Sequence, residues 1–176
     1  MNRPWDEIDE SIMRIALDEA RLAPDKQEVP IGAVLVYGGE ILARSHNLKE
    51  TLDDPTAHAE VLVLKEAAQK LGRWRLTGAH LYVTMEPCSM CAGAMVQARI
   101  SRLVFGVRDP KAGACGSIFN IPQEPRLNHR VEIVNGVLEH EIQGLLQGFF
   151  SQLRTKAERM ANSVTSRALP SLDGNE

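Results

Sequence analysis

No stretch of this chain is apolar for long enough to span a membrane. The opening residues, Met1-Asn2-Arg3-Pro4-Trp5-Asp6-Glu7, are polar and acidic. They lack the basic start and apolar run of an export signal, so the cytoplasm is the expected location. Cysteine is scarce, with Cys88, Cys91 and Cys115 alone. An odd number of intracellular cysteines argues against a disulfide framework and leaves metal binding open. A surplus of positive charge is missing too. Twenty basic against 23 acidic side chains give a net charge of -3. That excludes bulk nucleic-acid binding by the whole chain and leaves only a local basic patch. There are no internal repeats. What is present is ordinary for a soluble globular protein: 176 residues, 44% apolar and 24% charged. This is enough for one domain with a sizeable core and hardly enough for two.

Periodicity outlines the elements. Ile8, Ile12, Ile15, Ala16 and Ala20 recur at helical spacing, which predicts a helix over 6–23, with Pro24 just past its end. Residues 1–30 hold four basic and eight acidic side chains, so this helix is not expected to face RNA. A β-rich run at 31–37, the pair Gly38-Gly39 and a second run at 40–45 read as a hairpin. Helices follow at 58–71 and 89–98, strands at 79–85 and 102–107, and a short strand at 131–134. A long helix is expected from 137 to about 160. Helix, hairpin and then alternating strands and helices predict an α/β fold, a three-layer α/β/α sandwich on a mixed sheet. The domain is expected over 1–160. Residues 161–176, rich in Ser and Asn and weakly periodic, read as a disordered tail.

The chemistry is carried by a split pattern: Thr56-Ala57-His58-Ala59-Glu60, then Glu86-Pro87-Cys88-Ser89-Met90-Cys91. One His and two Cys can hold a zinc ion and leave its fourth position open to water, the arrangement of catalytic sites. Both halves sit where the chain enters a helix, and a helix N-terminus favours thiolates. Cys88 and Cys91, three apart, share one face of a first turn, and Pro87 fixes its entry. Glu60, two residues past His58, can move protons beside the metal without binding it. Plainer readings exist. His-Ala-Glu alone is common, and a lone Cys-x-x-Cys can be redox-active. A structural zinc would need a fourth ligand, for which Cys115 is the candidate. Cys115 lies in a small-residue loop, however, and reads better as a packed thiol. His46, His80, His129 and His140 lack partner spacing and read mostly as structural.

H-x-E followed by P-C-x-x-C is the signature of the zinc-dependent nucleobase deaminases. With it, the chain resembles the cytidine and deoxycytidylate deaminase superfamily and, more narrowly, the bacterial tRNA-specific adenosine deaminases. The further motifs are Glu28-Val29-Pro30-Ile31-Gly32-Ala33-Val34, His46-Asn47, the segments 85–99 and 105–116, and Asn128-His129-Arg130. Arg108-Asp109-Pro110-Lys111-Ala112-Gly113-Ala114, with Phe149-Phe150 and Arg154, points to the tRNA branch.

The resemblance implies a five-stranded, cytidine deaminase-like fold. It implies a homodimer with one Zn2+ per subunit, and hydrolytic conversion of adenosine to inosine, with release of ammonia, at the wobble position (34) of tRNA anticodon loops. His58, Cys88 and Cys91 would be the ligands and Glu60 the proton carrier. Asn47 would hydrogen-bond the flipped base and Val29 would wall its pocket. Asp109, Lys111, Phe150 and Arg154 would meet flanking nucleotides of the anticodon stem-loop. Cys115 stands where the family usually has a small Ala. Two other functions fit parts of the pattern. A deaminase of a free base such as guanine shares Glu-Pro-Cys-x-Met-Cys but needs no basic stripe like Arg154, Lys156 and Arg159. A zinc-stabilised RNA-binding module without catalysis has no use for Glu60.

Overall fold

Successive residues of a strand face opposite sides of a sheet, and here both sides are apolar. In β1 (Gly32–Tyr37), Ala33 and Leu35 enter one buried cluster while Val34 and Val36 enter another. A sheet buried on both faces needs helices on both faces. The computed structural model supplies them; it describes residues 5–167, with side chains described as far as residue 160.

β1 turns through Gly38 and Gly39, both at positive φ, into the antiparallel β2 (Glu40–His46). β3 (His80–Met85) pairs antiparallel to the other edge of β1. β4 (Arg102–Val107) and β5 (Glu132–Asn135) then add in parallel. The strand order is β2-β1-β3-β4-β5. α1 (Glu7–Leu22) packs on one face, followed in the chain by a 3-10 turn at Pro24–Lys26 and a short helix, α2 (Lys49–Leu52). α3 (Ala59–Leu71) and α4 (Ser89–Ala98) cover the opposite face through Val63, Leu64, Ala67, Met95 and Val96. α5 (Glu139–Arg167) returns to the α1 face through Ile142 and Leu146. This is the predicted α/β/α sandwich on a mixed five-stranded sheet.

Three details fix the layers. Asp6 caps α1 by accepting from the Asp9 N–H, and Asp9 answers to the Asp6 N–H, a reciprocal cap. Gly32 lets α1 lie directly on β1: a Cβ there would stand 2.0 Å from the Ala16 carbonyl oxygen. Asp9, buried, pairs with Arg102 through two bonds of 2.7 and 3.1 Å and accepts from the Tyr82 hydroxyl at 2.9 Å.

The structure departs from the periodicity in two places. α2 and a second 3-10 turn at Ile121–Gln123 were not foreseen, because neither is long enough to show a period. The last helix runs to Arg167 instead of stopping near 160. Residues 161–167 contain no Gly or Pro to end it. Residues 168–176, the remainder of the segment read as a tail, lie outside the described residues.

Candidate metal centre and active site

Two helices on the same face of the sheet present their N-termini to one point. His58 caps α3 and Cys88 caps α4, both with extended backbone. Such positions normally hold a side chain that bonds the first helical N–H groups. Neither residue makes that bond, so both side chains are free for another task. Cys91, one turn into α4, completes the group and is fully buried.

The three donor atoms form a near-equilateral triangle. His58 Nδ1 lies 3.7 Å from Cys88 Sγ and 3.5 Å from Cys91 Sγ, and the two sulfurs are 3.8 Å apart. Zinc bonds of about 2.3 Å to sulfur and 2.0–2.1 Å to nitrogen, set at tetrahedral angles, would separate two sulfurs by about 3.8 Å and sulfur from nitrogen by about 3.6 Å. The donor set therefore fits zinc in both chemistry and spacing. Among the described residues this is the only group of three or more His, Cys, Asp or Glu side chains placed to hold a metal.

The protonation pattern follows from the same contacts. Hydrogen bonds from Cys91 and His58 hold the Cys88 thiol down to about 3, against the opposing effect of burial. Cys91 is pushed far upward, first by donating to Cys88 and then by burial. The bond to Cys88 raises His58. Glu60 follows on the first turn of α3, 3% exposed, and burial raises its carboxyl. Its Oε2 is sealed from solvent and has no hydrogen-bond partner. A buried carboxylate oxygen without a partner is costly, and here it stands beside a metal-binding triangle with an open fourth position.

Asn47 is buried next to this corner, and its Oδ1 accepts from the Ala59 N–H at 3.0 Å. With the oxygen committed to the backbone, the NH2 end is what remains to donate. Val29 is partly buried against the α1 side of the core. Asp109 lies in the loop after β4; its Oδ1 accepts from the Lys111 N–H at 2.9 Å, and Lys111 itself is exposed. Phe150 is 41% exposed on α5 and meets Phe149 edge to face. Arg154 is exposed farther along α5. No hydrogen bond or ion pair among the described residues links Phe150 or Arg154 to the centre. Cys115 is buried in the core, and its thiol is held high by burial first and then by the Glu86 carboxylate. It stands outside the triangle, as expected of a packed thiol.

Two buried acids escaped the sequence reading. Glu28, 2% exposed, accepts from the Thr51 N–H at 2.8 Å and ties the entry of β1 to α2, the short helix before His58. Glu86, 3% exposed, accepts from the backbone of Asp109, Cys115 and Ser117. The one available signal was an acid immediately before Pro87-Cys88, at the end of a strand that reads as buried.

Comparison with known proteins agrees with this geometry. The family model of the MafB19-like deaminases matches residues 7–154. A tRNA-specific adenosine deaminase of Bacillus subtilis is 57% identical over 157 residues, covering 89% of this chain and 98% of that protein. Its Aquifex aeolicus counterpart is 49% identical, covering 82% and 95%. A solved structure from work on A-to-I editing by tRNA:A34 deaminases superposes with a TM-score of 0.74 at 48% identity, covering 76% of this chain and 97% of that one. A guanine deaminase of Nitrosomonas europaea shares the fold at a TM-score of 0.67 and 22% identity, covering 84% and 86%.

Proposed function

The chain belongs to the tRNA-specific adenosine deaminases, within the MafB19-like deaminases, and from that premise we propose how its own residues carry the reaction. The enzyme converts adenosine to inosine at the wobble position of tRNA by hydrolysis, releasing ammonia. His58, Cys88 and Cys91 would hold one zinc ion. When bound, zinc supplies an electrophilic centre that brings the pKa of water from 15.7 toward about 7.

Glu60 is the proton carrier. Its unpartnered Oε2 takes the proton of the water that attacks C6 of the base and delivers it to the neighbouring ring nitrogen. The remaining hydroxyl proton then passes through Glu60 to the amino group, the C6 oxygen becomes the carbonyl, and ammonia leaves. Burial suits Glu60 to taking this proton, since a carboxyl raised above its ordinary value is the stronger base. The Asn47 NH2 donates to the extruded base and Val29 walls the pocket. Asp109, Lys111, Phe150 and Arg154 meet nucleotides of the anticodon stem-loop. An unpaired loop base is the least costly to extrude. The orphaned Glu60 oxygen beside the His-Cys-Cys triangle is the observation that carries this reading.

The enzyme acts as a homodimer in the cytoplasm. An open groove of about 420 Å³ runs between α3 and α4, lined by Val61, Leu64, Ala68, Trp74 and Leu76 among others, with Trp74 56% exposed. A second copy of the chain is the occupant that fits this apolar lining. No helix of the described residues is long and apolar enough to cross a membrane.

The test compares deamination of a wobble-adenosine anticodon stem-loop with that of free adenosine and guanine, for the parent and Glu60→Ala, with zinc measured in both. Inosine forms from the stem-loop, and the variant loses about 10²–10⁴-fold in rate while keeping zinc. Turnover of guanine with an untouched stem-loop would move the enzyme to free bases. Loss of zinc from the variant would make Glu60 a ligand.

A further inference from the structure

The segment 109–117 belongs to neither sheet nor helix, yet it is held tightly, and one side chain holds it. Glu86 follows the end of β3, two residues before Cys88. Its Oε1 accepts from the N–H groups of Cys115 and Ser117, each at 3.0 Å. Its Oε2 accepts from the Asp109 N–H at 3.0 Å and from the Ser117 hydroxyl in a short bond. Four donors converge on one buried carboxylate and offset the desolvation of its charge.

The loop is moulded around this acid. A Cβ on Gly113 would stand 2.5 Å from the Glu86 carboxylate. Gly113 also bridges to Cys88, and the Ala114 N–H donates to the Pro87 carbonyl at 2.9 Å. One end of the loop is thus seated on the metal-ligand turn. The other end carries Asp109, which orders Lys111 through its own carboxylate.

We infer that Glu86 is a positioning residue that sets the register between the metal-ligand turn and the loop bearing Asp109 and Lys111, and so governs substrate capture. The inference rests on the reading of that loop as an RNA contact. The two oxygens divide the work. Oε1 takes only N–H groups of the metal end, at Cys115 and Ser117, and Oε2 takes the Asp109 N–H of the RNA end together with the Ser117 hydroxyl, whose O–H can turn to accept instead. Glutamine in place of Glu86 can keep its oxygen toward the first pair. Its NH2 then faces the Asp109 N–H, donor against donor, and releases that end alone.

The experiment uses the zinc-loaded full chain and the wobble-adenosine stem-loop, with Glu86→Gln, Ser117→Ala and Lys111→Glu compared for KM, kcat, zinc content and amide exchange. Glu86→Gln raises KM about tenfold, the loss of one hydrogen bond to a charged group, with kcat and zinc little changed. The Asp109 amide exchanges faster while those of Cys115 and Ser117 stay protected. Ser117→Ala moves KM the same way by less, and it decides the matter if Glu86→Gln does not fold. Lys111→Glu raises KM and lowers the salt dependence of binding by about one phosphate contact. A fall in kcat with KM unmoved, or loss of zinc without a change in KM, overturns the inference. So does an unmoved KM in Glu86→Gln while Lys111→Glu raises it. If Lys111→Glu is also silent, the loop does not read RNA, and the underlying assignment fails with it.

Discussion

At Glu60 a carboxylate oxygen is buried and bonded to nothing, an arrangement that costs about 1–3 kcal/mol wherever it is uncompensated. The role proposed for Glu60 and the stability of the fold are therefore opposed at this residue. The opposition has a definite pH dependence. The folded chain raises the Glu60 carboxyl above its ordinary 4.5, so it binds that proton more tightly than the unfolded chain does. Stability then falls as pH rises from 4.5 through the raised value, and levels off above it. Glu60→Gln removes this loss. In metal-free protein, its melting temperature is expected to match the parent's at acid pH and to exceed it increasingly toward neutrality, by a few degrees. Calorimetry across pH checks this. Equal melting temperatures at every pH would show that Glu60 is relieved of its charge by some other contact.

At the level of elements, a buried polar link joins the layers. Arg102 on β4 grips Asp9 on α1 with two bonds, and the Tyr82 hydroxyl of β3 donates to the same carboxylate. Arg102→Ala leaves a buried charge without its counter-ion, which costs about 3–5 kcal/mol. Urea unfolding is expected to show that loss as an earlier midpoint with an unchanged slope. A shift of only a few tenths would mean that water reaches Asp9. Neither partner of this pair stands out in the sequence, since Asp9 is one of four acids between residues 6 and 10.

The strands and long helices were legible, because burial imposes periods of 2 and 3.6 on the residues that experience it. The helix starts at His58 and Cys88 were legible as well, through the spacing that metal ligation requires. Contacts between a side chain and a distant backbone were not. Glu28 with Thr51, and Glu86 with Asp109, Cys115 and Ser117, leave no repeat in the chain, so only coordinates reveal them. The end of α5 is hidden for a related reason: composition changes near 160, but no Gly or Pro stands in 161–167 to stop the helix.

The molecule as a whole carries a net charge of -3, yet its substrate is a polyanion. Attraction must come from where charges sit. The acidic side chains crowd residues 1–30, while Lys111, Arg154, Lys156 and Arg159 stand exposed elsewhere. The other large-scale property proposed is self-association through the groove between α3 and α4. Trp74→Glu places a charge against its apolar lining and is expected to weaken self-association about thirtyfold or more, as at other aromatic interface anchors. Sedimentation equilibrium reads this directly. A parent chain that sediments as a single copy at micromolar concentration would remove the groove as a dimer face.

The two sides of the sheet have unequal histories open to them. Every member of the triangle, and Glu60 with them, belongs to the α3–α4 side, while α1 and α5 supply packing and exposed surface. A lineage can therefore alter the exposed part of its final helix generation after generation while the reacting corner stays fixed. Divergence toward a new nucleic-acid target would then be recorded in the final helix and in the loop after β4, and be nearly silent at the triangle.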